Sequence, residues 1–149
     1  MGHALYSTAP DYMRFLRMYR LNKGHARRRP RVLSEAGLES MLANQIGEHD
    51  RFRVLKTAVP AITADCELFP SKRKSHSMAF MRIEEDIPGM RYAGSQGWAG
   101  VLNTHFWLDP KANLAGPADD AVASVRGAAF RIDVRSFERA AYRHDARMS

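Results

Sequence analysis

The feature that most limits what this chain can fold into is a single change of hydrophobic period. Up to about residue 45 the apolar residues recur at helical spacing; from about residue 76 they alternate with a period of two. Tyr12, Phe15, Leu16 and Tyr19 fall at i, i+3, i+4 and i+7, one apolar stripe that predicts a helix over 10–22. Thr8 with Asp11 three residues on, and Pro10 near the first turn, supply its start; Lys23-Gly24 supplies a cationic last turn and a left-handed stop. Ser34 can cap a second helix over 34–45, with Glu35 favouring its dipole and Leu38, Met41 and Leu42 on its buried side.

Residues 54–70 are irregular, punctuated by Pro60 and Pro70, and Ser71-Lys72-Arg73-Lys74 reads as a polar loop. Ser77, Ala79, Met81 and Ile83 then alternate with Met78, Phe80 and Arg82, which predicts a strand over 76–84. After a turn at Glu85-Asp86-Ile87-Pro88-Gly89 comes a glycine-rich stretch with Tyr92 and Trp98. Asn103-Thr104-His105-Phe106-Trp107-Leu108 forms a second, aromatic strand ended by Asp109-Pro110. Short connections between successive strands imply antiparallel pairing. Residues 133–143 predict a closing helix with Val134, Phe137, Ala140 and Ala141 inward. Two helices, then strands, then a helix make a single α+β (mixed α/β) domain rather than βαβ repeats.

A chain of 149 residues can bury a real core without disulfides or metals, and Cys66, the lone cysteine, allows no internal disulfide. The longest uncharged stretch, 92–108, holds three glycines and five polar residues and cannot form an apolar spanning helix, so no membrane span is expected. The first residues lack a basic start followed by an apolar run, which leaves the cytoplasm as the default expectation.

The net charge of +7 is concentrated. Residues 1–31 hold eight Lys or Arg against Asp11 alone, while the other 118 residues balance, fifteen cations against fifteen acids. Arg27-Arg28-Arg29-Pro30-Arg31 can be read as a small basic module contacting nucleic acid or an acidic partner, because clustered guanidiniums release counterions from a polyanion. It can equally be a solvated interhelical loop. The run lacks aromatic residues that could stack on bases, which favours the loop and leaves nucleic acid an unexpected partner.

Candidate chemistry is sparse. Ser71-Lys72-Arg73-Lys74 has the Ser-x-x-Lys spacing that lets a lysine activate a serine, but it follows a proline in a charged loop instead of opening an apolar helix. Ala93-Gly94-Ser95-Gln96-Gly97 approaches a serine elbow without its first glycine or a following helix, so Ser95 with His105 is a weak alternative nucleophile and imidazole. On an alternating strand His105 is first of all a sheet-face residue. The six histidines show no paired ligand spacing and no glycine-rich phosphate loop is present, so neither metal nor cofactor is expected.

One segment is far more specific: Gly94-Ser95-Gln96-Gly97-Trp98-Ala99-Gly100-Val101-Leu102-Asn103-Thr104-His105-Phe106-Trp107-Leu108-Asp109-Pro110. It resembles the C-terminal region of the β-lactamase-related serine hydrolases, the class C β-lactamase and esterase family. There a Trp-x-Gly stands on the sheet edge where lactamases carry Lys-Thr-Gly, and an aromatic strand follows. Leu5-Tyr6-Ser7-Thr8-Ala9-Pro10-Asp11-Tyr12, Met41-Leu42-Ala43-Asn44-Gln45-Ile46-Gly47, Glu67-Leu68-Phe69-Pro70 and Ser136-Phe137-Glu138-Arg139-Ala140-Ala141-Tyr142 are similar to other family segments, in the same order. The resemblance implies a partial β-lactamase-like fold and acyl-serine hydrolysis of small esters or β-lactams. It also implies an acyl pocket lined by Trp98, Ala99, Gly100 and Val101, with the Val101 amide in the oxyanion site and Trp98 as a wall.

The family's Ser-x-x-Lys nucleophile and its Tyr-x-Asn or Tyr-x-Ser motif are not matched here, since no tyrosine is followed two residues later by Asn or Ser. The chain therefore looks like the last third of such a hydrolase, an incomplete domain inactive alone, whose partner is a missing N-terminal part or another copy of itself. A second departure spans about 116–134, where Gly-Pro-Ala-Asp-Asp replaces an apolar strand. Compensating frame shifts would produce this and would cost the sheet one strand.

Overall fold

The computed structural model describes residues 6–21, 33–48, 54–61, 65–100, 104–119 and 128–148. Three helices, α1 (Ala9–Leu21), α2 (Glu35–Leu42) and α3 (Ala128–Met148), enclose a five-stranded sheet. The strands are β1 (Lys74–His76), β2 (Met81–Ile83), β3 (Gln96–Ala99), β4 (Thr104–Asp109) and β5 (Leu114–Asp119). They form an antiparallel meander in sequence order. The α+β class and the antiparallel pairing expected from the sequence are both present.

The first two helices start as their capping residues dictate. Thr8 Oγ1 accepts from the Asp11 amide at 3.3 Å, and Ser34 Oγ accepts from the Gly37 amide at 3.0 Å. The α1 stripe buries Leu16 and Tyr19 against Leu38 of α2, Phe80 and Leu108, with Tyr12 edge-on to Phe106. Alternation sends the intervening Trp107 to the opposite face, where it meets Phe137 of α3 edge-on. The sheet is thus covered by α1 and α2 on one side and by α3 on the other. Phe69, Met81, Ile83 and Met90 form a second cluster.

Four expectations need correction. The strand over 76–84 is two strands joined by a hairpin, because Ser77 Oγ accepts from the amides of Ala79 (3.2 Å) and Phe80 (2.9 Å) and its own amide bonds the Phe80 carbonyl. Its alternating pattern therefore straddles a turn. Lys74, placed in a polar loop, opens β1 and is 3% exposed; its ammonium donates to the carbonyls of Leu68 (2.9 Å) and Phe69 (3.0 Å). Burial lowers its pKa, against the opposing pull of Glu67.

The closing helix is longer than 133–143, and Phe137 and Ala140 face outward. Its inward residues are Val134, Glu138 and Tyr142, spaced i, i+4, i+8. Lastly, the strand expected to be missing after the Asp109-Pro110 turn is formed as β5, paired along its whole length with β4. Gly116 makes that pairing possible: an added Cβ would stand 2.7 Å from Cζ3 of Trp107 and nearer still to Cη2. Replacing Gly116 by alanine should therefore destabilise the chain by about 1–3 kcal/mol in urea unfolding, through overpacking against a buried indole.

Candidate functional site: the free end of strand β3

Strand β3 carries Trp98 and Ala99 at its C-terminal end, followed by Gly100, whose amide donates to the Thr104 carbonyl at 2.7 Å. On one side Trp98 and Ala99 pair with Phe106 and His105 of β4. On the other side β2 reaches only as far as Met81, opposite Gly97. Trp98 and Ala99 project past its end with no strand beside them among the described residues. Trp98 is 37% exposed and meets the His76 ring edge-on at 5.9 Å. Leu68, Phe69, Trp98, His105, Val134, Arg135 and Glu138 line a cleft between this end of the sheet and α3. Its enclosed space, ≈ 20 Å³, admits about one water.

The cleft floor is electrostatic. Arg91 and Glu138, 3% and 1% exposed, form a bidentate ion pair, with Nε 2.9 Å from Oε2. The Arg91 guanidinium also lies 4.7 Å from the Phe69 ring centre and 5.9 Å from that of Trp107. Gly97 leaves the space that guanidinium occupies, since a Cβ there would stand 3.1 Å from Nη1 and strike the Phe106 carbonyl. Burial, and then the Arg91 charge, lower the His105 pKa from 6.5 to about 4, so the ring is neutral at ordinary pH.

A second polar centre sits at the other end of β4. Asp109 is fully buried, and its carboxylate accepts from the Tyr142 hydroxyl (2.8 Å), the Tyr92 amide (2.8 Å) and the amides of Lys111 and Ala112 (both 3.0 Å). Burial and the neighbouring Asp109 both raise the Tyr142 pKa. A third lies on the other face. Gln96 donates to the Leu42 carbonyl at the end of α2 (2.7 Å) and accepts from the Ser77 hydroxyl (2.8 Å).

The structure keeps Ser95 and His105 apart. Ser95 is fully buried, its hydroxyl has no partner among the described residues, and it lies four residues along from Ala99, the partner of His105. Strand rise makes that roughly 13 Å, beyond hydrogen-bond reach. Trp98, Ala99 and Gly100 lie together at one strand end, while Val101 lies outside the described residues, as does Arg27-Arg28-Arg29-Pro30-Arg31. Sequence reasoning missed Arg91 and Glu138 as a pair and Arg135 as a cleft residue. The i, i+4, i+8 spacing of Val134, Glu138 and Tyr142 was the available signal.

These elements define a mixed α+β, partial β-lactamase-like fold. Two mutants of simvastatin synthase (LovD) from Aspergillus terreus share it. LovD9 has a TM-score of 0.67 and LovD6 one of 0.66, each at 20% identity over 91% of this chain and 34% of its own. The unliganded, selenomethionyl form of the same synthase gives a TM-score of 0.64 at 21% identity, over 88% of this chain and 32% of its own. The chain thus spans about a third of the length of these structures. No family model and no curated protein matches it. At this level of identity the likeness establishes the fold.

Two outcomes follow from the cleft. Glu138→Ala should cost about 3–5 kcal/mol in urea unfolding, because it strands the buried Arg91 charge. The unfolded chain protonates His105 near pH 6.5 and the folded chain only near 4, so stability should fall as pH drops through that window. Unfolding midpoints of His105→Gln should lack that component of the acid limb.

Proposed function

We propose that this chain is the C-terminal portion of a β-lactamase-related serine hydrolase and supplies one wall of its acyl site. The supporting observation is the end of β3, where Trp98 and Ala99 extend beyond β2, beside a cleft and with no strand along that edge among the described residues. A strand edge of that kind presents backbone groups in a fixed row, able to hold an acyl carbonyl as its oxygen becomes negative. On this reading Trp98 walls the pocket, the Val101 amide contributes to the oxyanion site, and the substrate is a small ester or β-lactam. The nucleophile and base belong to a helix-opening Ser-x-x-Lys and a Tyr-x-Asn; the Ser-x-x-Lys here, Ser71 to Lys74, opens no apolar helix, and no Tyr-x-Asn is present. Loss of such groups removes several powers of ten in rate, so the chain alone is inactive, either as a gene remnant or as the partner of a separately encoded N-terminal part.

The outer edge of β5 carries no strand among the described residues, and an open edge of six residues invites pairing. Self-association on a sizing column is therefore expected, and a compact monomer counts against the incomplete-domain reading. Translating the gene in its other two frames across residues 115–135 tests the frame-shift origin of that segment, which a Leu-Pro-Phe-like strand would support. Purified chain should turn over neither nitrocefin nor p-nitrophenyl acetate and should take no fluorophosphonate label. Turnover with one labelled serine would mean a complete site within this chain. Late, salt-sensitive elution from heparin would instead favour the Arg27–Arg31 module.

A further inference from the structure

The sequence sets an arginine at every fourth position of α3: Arg131, Arg135, Arg139, Arg143 and Arg147. Four residues rise about 6 Å along a helix, so these positions make one i, i+4 ridge about 24 Å long. The helix offers that ridge little charge of its own. Asp133 and Asp145 stand two residues from the nearest arginines, on another side of the helix. Glu138, three residues after Arg135, is engaged by Arg91. Arg135, Arg139 and Arg143 have no carboxylate partner among the described residues. Like charges four residues apart repel, and the ridge repeats that arrangement along the helix. Val134, Glu138 and Tyr142 are buried, and the Arg91 to Glu138 bond fixes the rotation of α3, which leaves Arg139 and Arg143 exposed.

We propose that this ridge docks an acidic α-helix of a partner protein, one whose carboxylates recur every fourth residue. Such a helix has the same rise, and two i, i+4 ridges run side by side when their helices cross at about 50°. Guanidinium and carboxylate then meet rung by rung in the two-pronged geometry that arginine favours. Other anionic partners find less on this element. Phe137 lies two residues from Arg135 and Arg139, off the ridge and edge-on to Trp107, so it is not placed to stack on bases beside them. Ser136 and Ala140, exposed next to the ridge, give no bulky apolar row to enter a bilayer.

The test uses the intact chain and two fluorescent, alanine-based peptides stapled into helices. One carries a glutamate at every fourth position, and the other has the same composition with its glutamates scattered round the helix. Anisotropy should show the first binding about tenfold more tightly than the second, as charge-assisted pairs in register provide. Arg139→Gln together with Arg143→Gln should bring the two peptides to within about twofold of each other. The urea midpoint of that variant should not fall, since both side chains are exposed and only like-charge repulsion is lost. Arg27→Gln together with Arg29→Gln should leave the preference intact. Equal binding of the two peptides, no binding of either, or a preference that survives the α3 substitutions would overturn the proposal. So would a preference lost with Arg27 and Arg29, or an oligonucleotide or anionic vesicle that binds more tightly than the matched peptide and is released by the α3 substitutions. None of these readouts needs turnover or the acyl site, so this proposal and the hydrolase reading fail separately.

Discussion

Where α3 crosses the sheet, Arg91 and Glu138 meet with neither charge open to water. Alone, either would cost several kcal/mol to bury, and together they satisfy each other only in one geometry. That requirement fixes which turn of α3 lies over β3 and β4. It places Val134 and Arg135 at the cleft and Tyr142 two turns further on, over Asp109. It also explains the glycine at position 97, the one residue on β3 whose missing side chain leaves the guanidinium room beneath the strand.

The same logic runs through the rest of the molecule. Gln96, Ser77, Asp109 and Lys74 are each 3% exposed or less, and each is tied to backbone groups, Ser77 to those of its own turn and the others to those of a preceding segment. Gln96 closes the last turn of α2, Asp109 shapes the turn into β5, and Lys74 gathers the carbonyls of Leu68 and Phe69. Apolar burial brings the layers together, with no preferred register. These directional bonds choose the register, and those of Gln96 and Asp109 also join elements far apart in the chain.

That division decides what was legible in the sequence. The α1 stripe, the Thr8 and Ser34 caps and the aromatic strand at 104–109 follow from local periodicity and local hydrogen bonds, and the structure has them within a residue or two. Glu138 could not be read as inward, because a carboxylate is buried only where a partner waits, and its partner is 47 positions away. Phe137 was placed inward for being apolar, yet it contributes only an edge to Trp107 and stays half exposed. The hairpin at 77–80 was hidden for a different reason. Its residues alternate as a strand does, and only the Ser77 hydroxyl, offering the chain a tighter turn, breaks the run. The acyl-strand assignment came from resemblance alone; spacing and composition gave no sign of a cleft.

The hidden hairpin is also what leaves the candidate site open. Had 76–84 been one continuous strand, Phe80 and Ala79, which precede Met81, would have lain against Trp98 and Ala99 and closed that edge with backbone hydrogen bonds. Ser77 instead reverses the chain four residues early, and β2 begins at Met81, opposite Gly97. Gln96 accepts from the same hydroxyl that makes the turn, so the residue that anchors β3 also holds back the strand that would cover it. The opening is therefore built by a buried, fully bonded serine and glutamine. An edge maintained in that way is a consequence of the fold itself, and the proposed acyl-binding wall would stand on it.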